Sequence, residues 1–455
     1  MDKNFFKKVF IFAGLYAVTL GIIFSPYFLR PTESVHSYNT LRNIIIFFAT
    51  VLLTKYFIYM LVSPLYDVWA VRFDKVFREK IKEYEPKVSV VVPAWNEAVG
   101  IISTIESILA NTYNKIEIIV VDDGSTDGTG KLVKNFIRQY ELKKSVFSEK
   151  TIIYYRKRNG GKGRALNSGV RKSTGEILIS IDADCYVSPN ALENFVRYFA
   201  DPSIMAVVGN VKIGNTERLL GMIQYIEYLF SFYFKKADSL LNTIYIIGGA
   251  AGAFRQEVFK KIGLYRADNL TEDIELSVRI QAAGMRIVYA ADAVIYTEGA
   301  GDIKGLMKQR LRWKRGRFQT FNEHRSLFFS PRKRHNKLLT FTILPLALFG
   351  ELQLFLEVMF VIFLYVYSYL VKDYSSFISG IIVVSSMFFV QFSNEKTKIN
   401  RAYFYLAAPI GWLLFYVSSI VEYYALVSSI WLTLTKKETK WQKWKRQGVS
   451  VATNK

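Results

Sequence analysis

Ile116-Glu117-Ile118-Ile119-Val120-Val121-Asp122-Asp123-Gly124-Ser125-Thr126-Asp127-Gly128 passes from a β-branched apolar run straight into a polar, glycine-bearing turn. The apolar part, residues 116–121, is short and bounded by turn residues, which reads as a strand buried on both faces. Residues 88–92 and 177–181 have the same character. Helical patterns lie between the runs, for example at 98–110 and 129–139. Strand and helix in alternation predict an α/β fold with a parallel sheet and helices on both sides.

Ligands of open α/β sheets bind just beyond the carboxyl ends of the strands. The three runs end in Pro93-Ala94-Trp95-Asn96-Glu97, in Asp122 to Gly128, and in Asp182-Ala183-Asp184. One such cluster is ordinary turn chemistry. Three on one sheet edge predict a binding site. Asp182 and Asp184 are spaced to approach one hard cation, and Mg2+ or Mn2+ takes such oxygen ligands while sharing other positions with phosphates. About one D-x-D arises by chance in a chain this long, so its place after a buried strand gives it weight.

Asn159-Gly160-Gly161-Lys162-Gly163-Arg164 lies between the second and third runs. Glycines let backbone amides approach an anion, and Lys162 adds charge for a phosphate. A plain basic loop accounts for these residues nearly as well. Thr271-Glu272-Asp273 and Gln309-Arg310-Leu311-Arg312-Trp313 come later. At helical spacing Gln309, Arg312 and Trp313 share a face. An arginine fork suits a departing diphosphate, and an indole suits the apolar face of a pyranose. The plainer alternative is an amphipathic basic helix on a membrane surface.

Of 455 residues, 51% are hydrophobic, and these gather at the two ends while residues 63–337 read as a charged, water-soluble chain. The net charge is +22, with basic residues concentrated beside the apolar segments, as the positive-inside rule expects. No aromatic–basic repeat or known module supports a nucleic-acid partner. The single cysteine, Cys185, excludes an intramolecular disulfide, and with three histidines no zinc cluster is credible.

A first span is expected at 9–29, after Lys3, Lys7 and Lys8, and a second at 43–62, before Arg72, Lys75 and Arg78. Together they predict a hairpin, residues 1–62, with a cytosolic domain at 63–325. Residues 326–434 form an interfacial and transmembrane region, and 435–455 a basic cytosolic tail. The apolar stretch 338–371 exceeds the roughly 20 residues that one crossing needs. A further span covers 375–392. The last apolar stretch, 403–434, carries Pro409 between Lys396, Lys398, Arg401 and Lys436, Lys437, Lys440. Glu351, Gln353 and Glu357 sit in apolar sequence, where ionisable groups mark pathways or lie near the interface.

The order D-D-G, D-A-D, T-E-D, Q-R-L-R-W resembles glycosyltransferase family 2 over residues 86–325, in its processive membrane branch of cellulose, chitin, hyaluronan and poly-N-acetylglucosamine synthases. The tail, with Pro409 and the Trp441 to Gly448 ending, is most similar to the last of these. The resemblance implies an A-type nucleotide-binding sheet, mostly parallel and flanked by helices, with transmembrane helices at both ends. It implies an inverting enzyme of the plasma or inner membrane that uses a UDP-sugar and Mg2+ or Mn2+, with N-acetylglucosamine as the expected sugar. The growing polysaccharide is the acceptor, exported across the bilayer, and accessory subunits are left open. Transfer of one sugar to a lipid carrier is the alternative.

By the same resemblance Asp273 is the general base and Asp184 holds the metal. Pro93, Asn96, Glu97, Asp123, Lys162, Asp182 and Arg312 bind the nucleotide-sugar, with Asp123 on uridine. Gly249, Glu272, Gln309, Arg312 and Trp313 serve the acceptor. Gly248 to Gly252 looks like the acceptor-side loop, with Arg255 beyond it. Gly163 departs from the commoner alanine after the loop lysine.

Overall fold

The computed structural model describes residues 39–143, 149–216, 219–371, 375–395, 405, 408, 411–435 and 448. The span expected at 9–29, the kink at Pro409, the basic residues Lys396, Lys398, Arg401, Lys436, Lys437 and Lys440, and the Trp441 ending up to residue 447 lie outside them. The chain divides into two compact units, 60–350 with 424–455, and 1–59 with 351–423.

In chain order the elements used below are α1 (Asn39–Val62), α2 (Leu65–Val76), β1 (Val88–Ala94), α3 (Ile101–Leu109), β2 (Ile116–Asp122), α4 (Thr129–Lys143), β3 (Thr151–Arg156), α5 (Lys162–Lys172), β4 (Ile177–Ser180), β5 (Cys185–Val187), α6 (Ala191–Tyr198), β6 (Ile204–Ile213), α7 (Leu219–Leu241), β7 (Gly252–Arg255), α8 (Glu272–Ala282), β8 (Arg286–Thr297), α9 (Ile303–Glu323), α10 (Leu344–Val371), α11 (Ser375–Asn394) and α12 (Gly411–Leu434).

The larger unit is built on one eight-stranded sheet of order β3-β2-β1-β4-β7-β6-β8-β5. β3, β2, β1 and β4 run parallel, as do β6 and β8. β7 is antiparallel to both its neighbours, and β5 is antiparallel to β8. The half of the sheet built from β1 to β4 is therefore parallel and the later half mixed.

Alternate residues of β1 and β2 explain why helices cover both faces. Val88, Val90 and Val92 pack with Ile116, Ile118 and Val120 against Ile101, Ile105 and Ile108 of α3. Val91, Ile119 and Val121 point the other way, onto Ala165, Leu166 and Val170 of α5. Fully burying each such side chain contributes about 1.5–3 kcal/mol. Glu117, a buried charge in this core, receives Lys87 at 2.8 Å, the Thr174 amide at 2.6 Å and the Ser89 hydroxyl.

Register sets the site edge. Ala94 lies opposite Asp122, and Ser180 opposite Val91, so Asp182, two residues on, comes level with Pro93. Gly252 starts β7 opposite Ser180, which brings the glycine segment 248–251 to that edge. Arg255 pairs with Ile177 at the opposite end of the strands and donates to the carbonyls of Ile204, Phe199 and Asp201. It ties the sheet together and has no place beside the acceptor loop.

Residues 328–344 also belong to this unit. Leu339, Thr340 and Leu344 are buried, and Asn336 donates to the Leu241 carbonyl at 2.8 Å. The first turn of the stretch from Leu338 is therefore packed against protein. Among the described residues two helical segments are long and apolar enough to cross a membrane, Leu339–Glu357 and Tyr416–Leu434. In the smaller unit Ser419 donates to Glu357 at 3.3 Å, one polar contact between two apolar helices.

Candidate active site

Loops after β1 and β2 are latched together. The Asn96 amide donates to Ser125 Oγ at 2.9 Å, and the Thr126 amide donates to Asn96 Oδ1 at 2.8 Å. Asn96 sits at φ 56°, a left-handed conformation that asparagine tolerates. The Glu97 amide donates to Thr129 Oγ1 at 2.9 Å, so Glu97 is held at the same seam below half-buried Pro93.

The two carboxylates of the D-D pair have separate roles. Asp122 receives the Ser125 amide at 2.8 Å and the Tyr154 hydroxyl at 2.6 Å, which fixes the turn. Asp123 receives Lys157 Nζ at 2.5 Å, the Gly160 amide at 3.0 Å and the Gly161 amide at 2.7 Å. The glycine amides expected to face a phosphate thus close on Asp123. The sequence cannot display this, because the acceptor lies 37 residues upstream of Gly160.

Lys162, at the start of α5, points into a nest of carboxylates, 2.6 Å from Asp182 and 3.7 Å from Glu272. Burial works against its charge, but Asp182, Glu272 and Asp273 outweigh it and hold the ammonium above the usual lysine range. Burial likewise pushes the Glu272 carboxyl up, opposed by the charges of Lys162 and Arg312. Glu272 and Asp273 occupy the first turn of α8, where the helix dipole favours negative charge.

Asp273 is gripped from two sides. Its Oδ2 accepts the Gly249 amide at 2.8 Å, and its Oδ1 accepts the Ile274 amide at 2.9 Å. A Cβ on Gly249 would stand 2.7 Å from Lys162 Nζ and 3.2 Å from Asp273 Oδ2, so a side chain there would push against the lysine head. Asp184 is buried at the turn into β5, beside the buried thiol of Cys185.

α9 closes the other side. A methyl at Gly316 would overlap the Thr271 side chain, so this glycine lets α9 lie directly on the start of α8. That approach puts Arg312 within electrostatic reach of Glu272. Gln309 is buried, and Trp313 is half-buried. Arg310, given no role by sequence reasoning, is buried in an ion pair with Glu227 of α7 at 2.7 Å and stacks 4.4 Å from the Trp313 ring centre. Tyr228, next to Glu227, is pushed up to about 12 by burial, with the Asp184 charge contributing. Lys235, eight residues after Glu227 and so near the same helix face, donates to the Ile246 carbonyl at 2.9 Å and lies in electrostatic reach of Asp273.

Among the described residues, the acidic group close enough to share an ion is Glu275 with Glu323 and His324. Arg279 at 2.8 Å and Arg266 at 3.5 Å already neutralise it. Asp182 and Asp184 are not part of it.

Carboxylates at the carboxyl ends of parallel strands, a lysine among them and an arginine–tryptophan helix opposite define a glycosyltransferase with a nucleotide-binding sheet. The central part of the chain is similar to glycosyl transferase family 2. The profile described as "Glycosyl transferase family 2" matches residues 89–263, and "Glycosyl transferase family group 2" matches 177–373. The poly-beta-1,6-N-acetyl-D-glucosamine synthase of Staphylococcus aureus strain COL is 32% identical over 234 residues, 50% of this chain and 54% of that protein. The Staphylococcus epidermidis synthase is 31% identical over the same shares. The chain therefore spans about half the length of the curated relatives it matches. Mannosyltransferase PcManGT from Pyrobaculum calidifontis, solved with GDP-Man and Mn2+, matches with a TM-score of 0.51 at 20% identity, over 83% of this chain and 99% of that one. This likeness shows the fold.

Proposed function

We propose that the protein transfers a sugar, N-acetylglucosamine, from a UDP-sugar to the end of a growing β-linked polysaccharide, with inversion and repeated addition. The observation that carries this reading is the meeting of Lys162, Asp182, Glu272, Asp273 and Arg312 at one sheet edge. The relatives named as poly-beta-1,6-N-acetyl-D-glucosamine synthases support the sugar and the polymer.

Asp273 takes the proton of the acceptor hydroxyl. Each of its oxygens spends one lone pair on a backbone amide, which fixes the carboxylate plane and leaves a second lone pair for the incoming O–H. Base catalysis of this kind contributes roughly 10²–10⁴-fold. A single base suits direct displacement, which needs no covalent sugar–enzyme intermediate. Lys162 and Arg312 offset charge on the departing diphosphate. Pro93, Asn96, Glu97 and Asp123 shape the nucleoside end, and Gln309 and Trp313 hold the acceptor sugar.

The donor set fits a hard divalent cation. Asp184 and, two residues before it, Asp182 offer hard carboxylate oxygens, as Mg2+ or Mn2+ requires. Bound there, the ion supplies positive charge to the pyrophosphate. The two apolar helices support a multi-pass membrane protein with residues 63–325 on the cytosolic side, exporting its product.

Purified protein incubated with a panel of UDP-sugars tests the reading. Release of UDP together with a lengthening β-linked polymer is expected. Absence of UDP release from every donor overturns the proposal, and a single-sugar product overturns the repeated addition.

A further inference from the structure

Trp313 is held, not merely placed. The buried Arg310 guanidinium lies over its ring at 4.4 Å, and Arg310 is in turn fixed by Glu227 at 2.7 Å. Arg310 and Trp313 are three apart on α9, so they stack one above the other along one face. Glu227 comes from α7, 83 residues away in sequence. A buried guanidinium without a carboxylate partner is strongly unfavourable, so the position of Arg310 depends on Glu227. The flat guanidinium stacks over one face of the indole, so in this reading a pyranose takes the opposite face. Tyr228 extends the same connection, because its hydroxyl feels both Arg310 and Asp184.

We infer that Glu227 and Arg310 are positioning residues that set the Trp313 ring for the acceptor sugar and so govern acceptor affinity and product length. The inference rests on the reading of Trp313 as the acceptor platform. Neither residue touches the donor diphosphate in this account, so donor use is separable from acceptor use.

The test uses the full-length protein with UDP-N-acetylglucosamine and short β-1,6-linked N-acetylglucosamine oligomers. It measures acceptor KM, product length, and UDP release without acceptor. Glu227→Gln and Arg310→Lys should each raise acceptor KM about tenfold and shorten the product, while acceptor-free UDP release stays within about twofold. The exchanged pair, Glu227→Arg with Arg310→Glu, restores an ion pair but puts an anion over the indole. A purely structural pair is rescued by that exchange, and a positioning pair is not. Recovery of wild-type acceptor KM in the exchanged variant overturns the inference, as does equal loss of donor hydrolysis and transfer. Trp313→Ala is the control for the underlying reading. If it leaves acceptor KM unchanged, the platform itself is wrong. If it raises KM while Glu227→Gln and Arg310→Lys do not, only the positioning inference fails.

Discussion

Asp273 has both oxygens occupied by amides, and that predicts how it fails. Asp273→Asn keeps the size and can still accept from Gly249, but it cannot take a proton. Transfer should fall by at least about 100-fold while UDP affinity measured by calorimetry stays close to wild type. Lost UDP binding would move Asp273 to a binding role. Residues of this kind were legible because short motifs carry them: D-A-D, T-E-D and Q-R-L-R-W name Asp184, Asp273 and Trp313. Glu227, Tyr228 and Lys235 were not, since a residue's partner across 83 positions leaves no trace in local spacing. The Gly160–Gly161 amides were legible as donors and not as donors to Asp123.

At the scale of elements, the contact between α8 and α9 depends on one missing methyl. Gly→Ala in a helix interior ordinarily stabilises by about 1 kcal/mol. At position 316 the added Cβ meets Thr271, and overpacking of this kind costs about 1–3 kcal/mol. Gly316→Ala should therefore change the melting temperature little but push α9 off α8 and lower activity sharply. Wild-type turnover in that variant would show that the approach is not needed.

The sheet gives a second expectation. Burial pushes the Glu117 carboxyl up, but hydrogen bonds from Lys87, Ser89 and Thr174 outweigh it and hold the group at about 2, against an ordinary 4.5. A carboxyl held low stabilises the fold fully above the ordinary value, and that stability drains away as pH falls from 4.5 towards 2. Thermal melts across this range should show the slope in wild type and a flatter curve in Glu117→Gln. β1, β2 and β4 were visible in the sequence because strands covered on both faces are continuous apolar runs. β3 lies at an edge with exposed positions, and β5 and β7 have three and four residues, so no periodicity betrays them.

At the scale of the whole molecule, two apolar helices carry an internal polar contact, Glu357 with Ser419. An acidic residue among apolar helices is costly to keep and usually functional. In sealed vesicles holding purified protein, Glu357→Ala should leave UDP release intact and reduce the polymer protected on the far side of the membrane. Digestion with an added hydrolase before and after lysis measures that split. Equal protected product in both forms would reduce the contact to packing. The 338–371 stretch begins with Leu339, Thr340 and Leu344 buried in protein, and hydropathy alone cannot tell such a turn from one buried in lipid.

The lone thiol of the chain, Cys185, is buried beside Asp184, and burial together with the Asp184 and Asp182 charges holds its pKa well above the usual cysteine range. Such a thiol reacts slowly, which makes it a ready-made clock for opening of the turn at 182–185. Its modification rate with a maleimide dye should slow further when UDP and Mn2+ are added, and rise steeply only on unfolding. The same shielding gives the chain an almost silent background, so that a single cysteine placed elsewhere by mutation can be tagged alone.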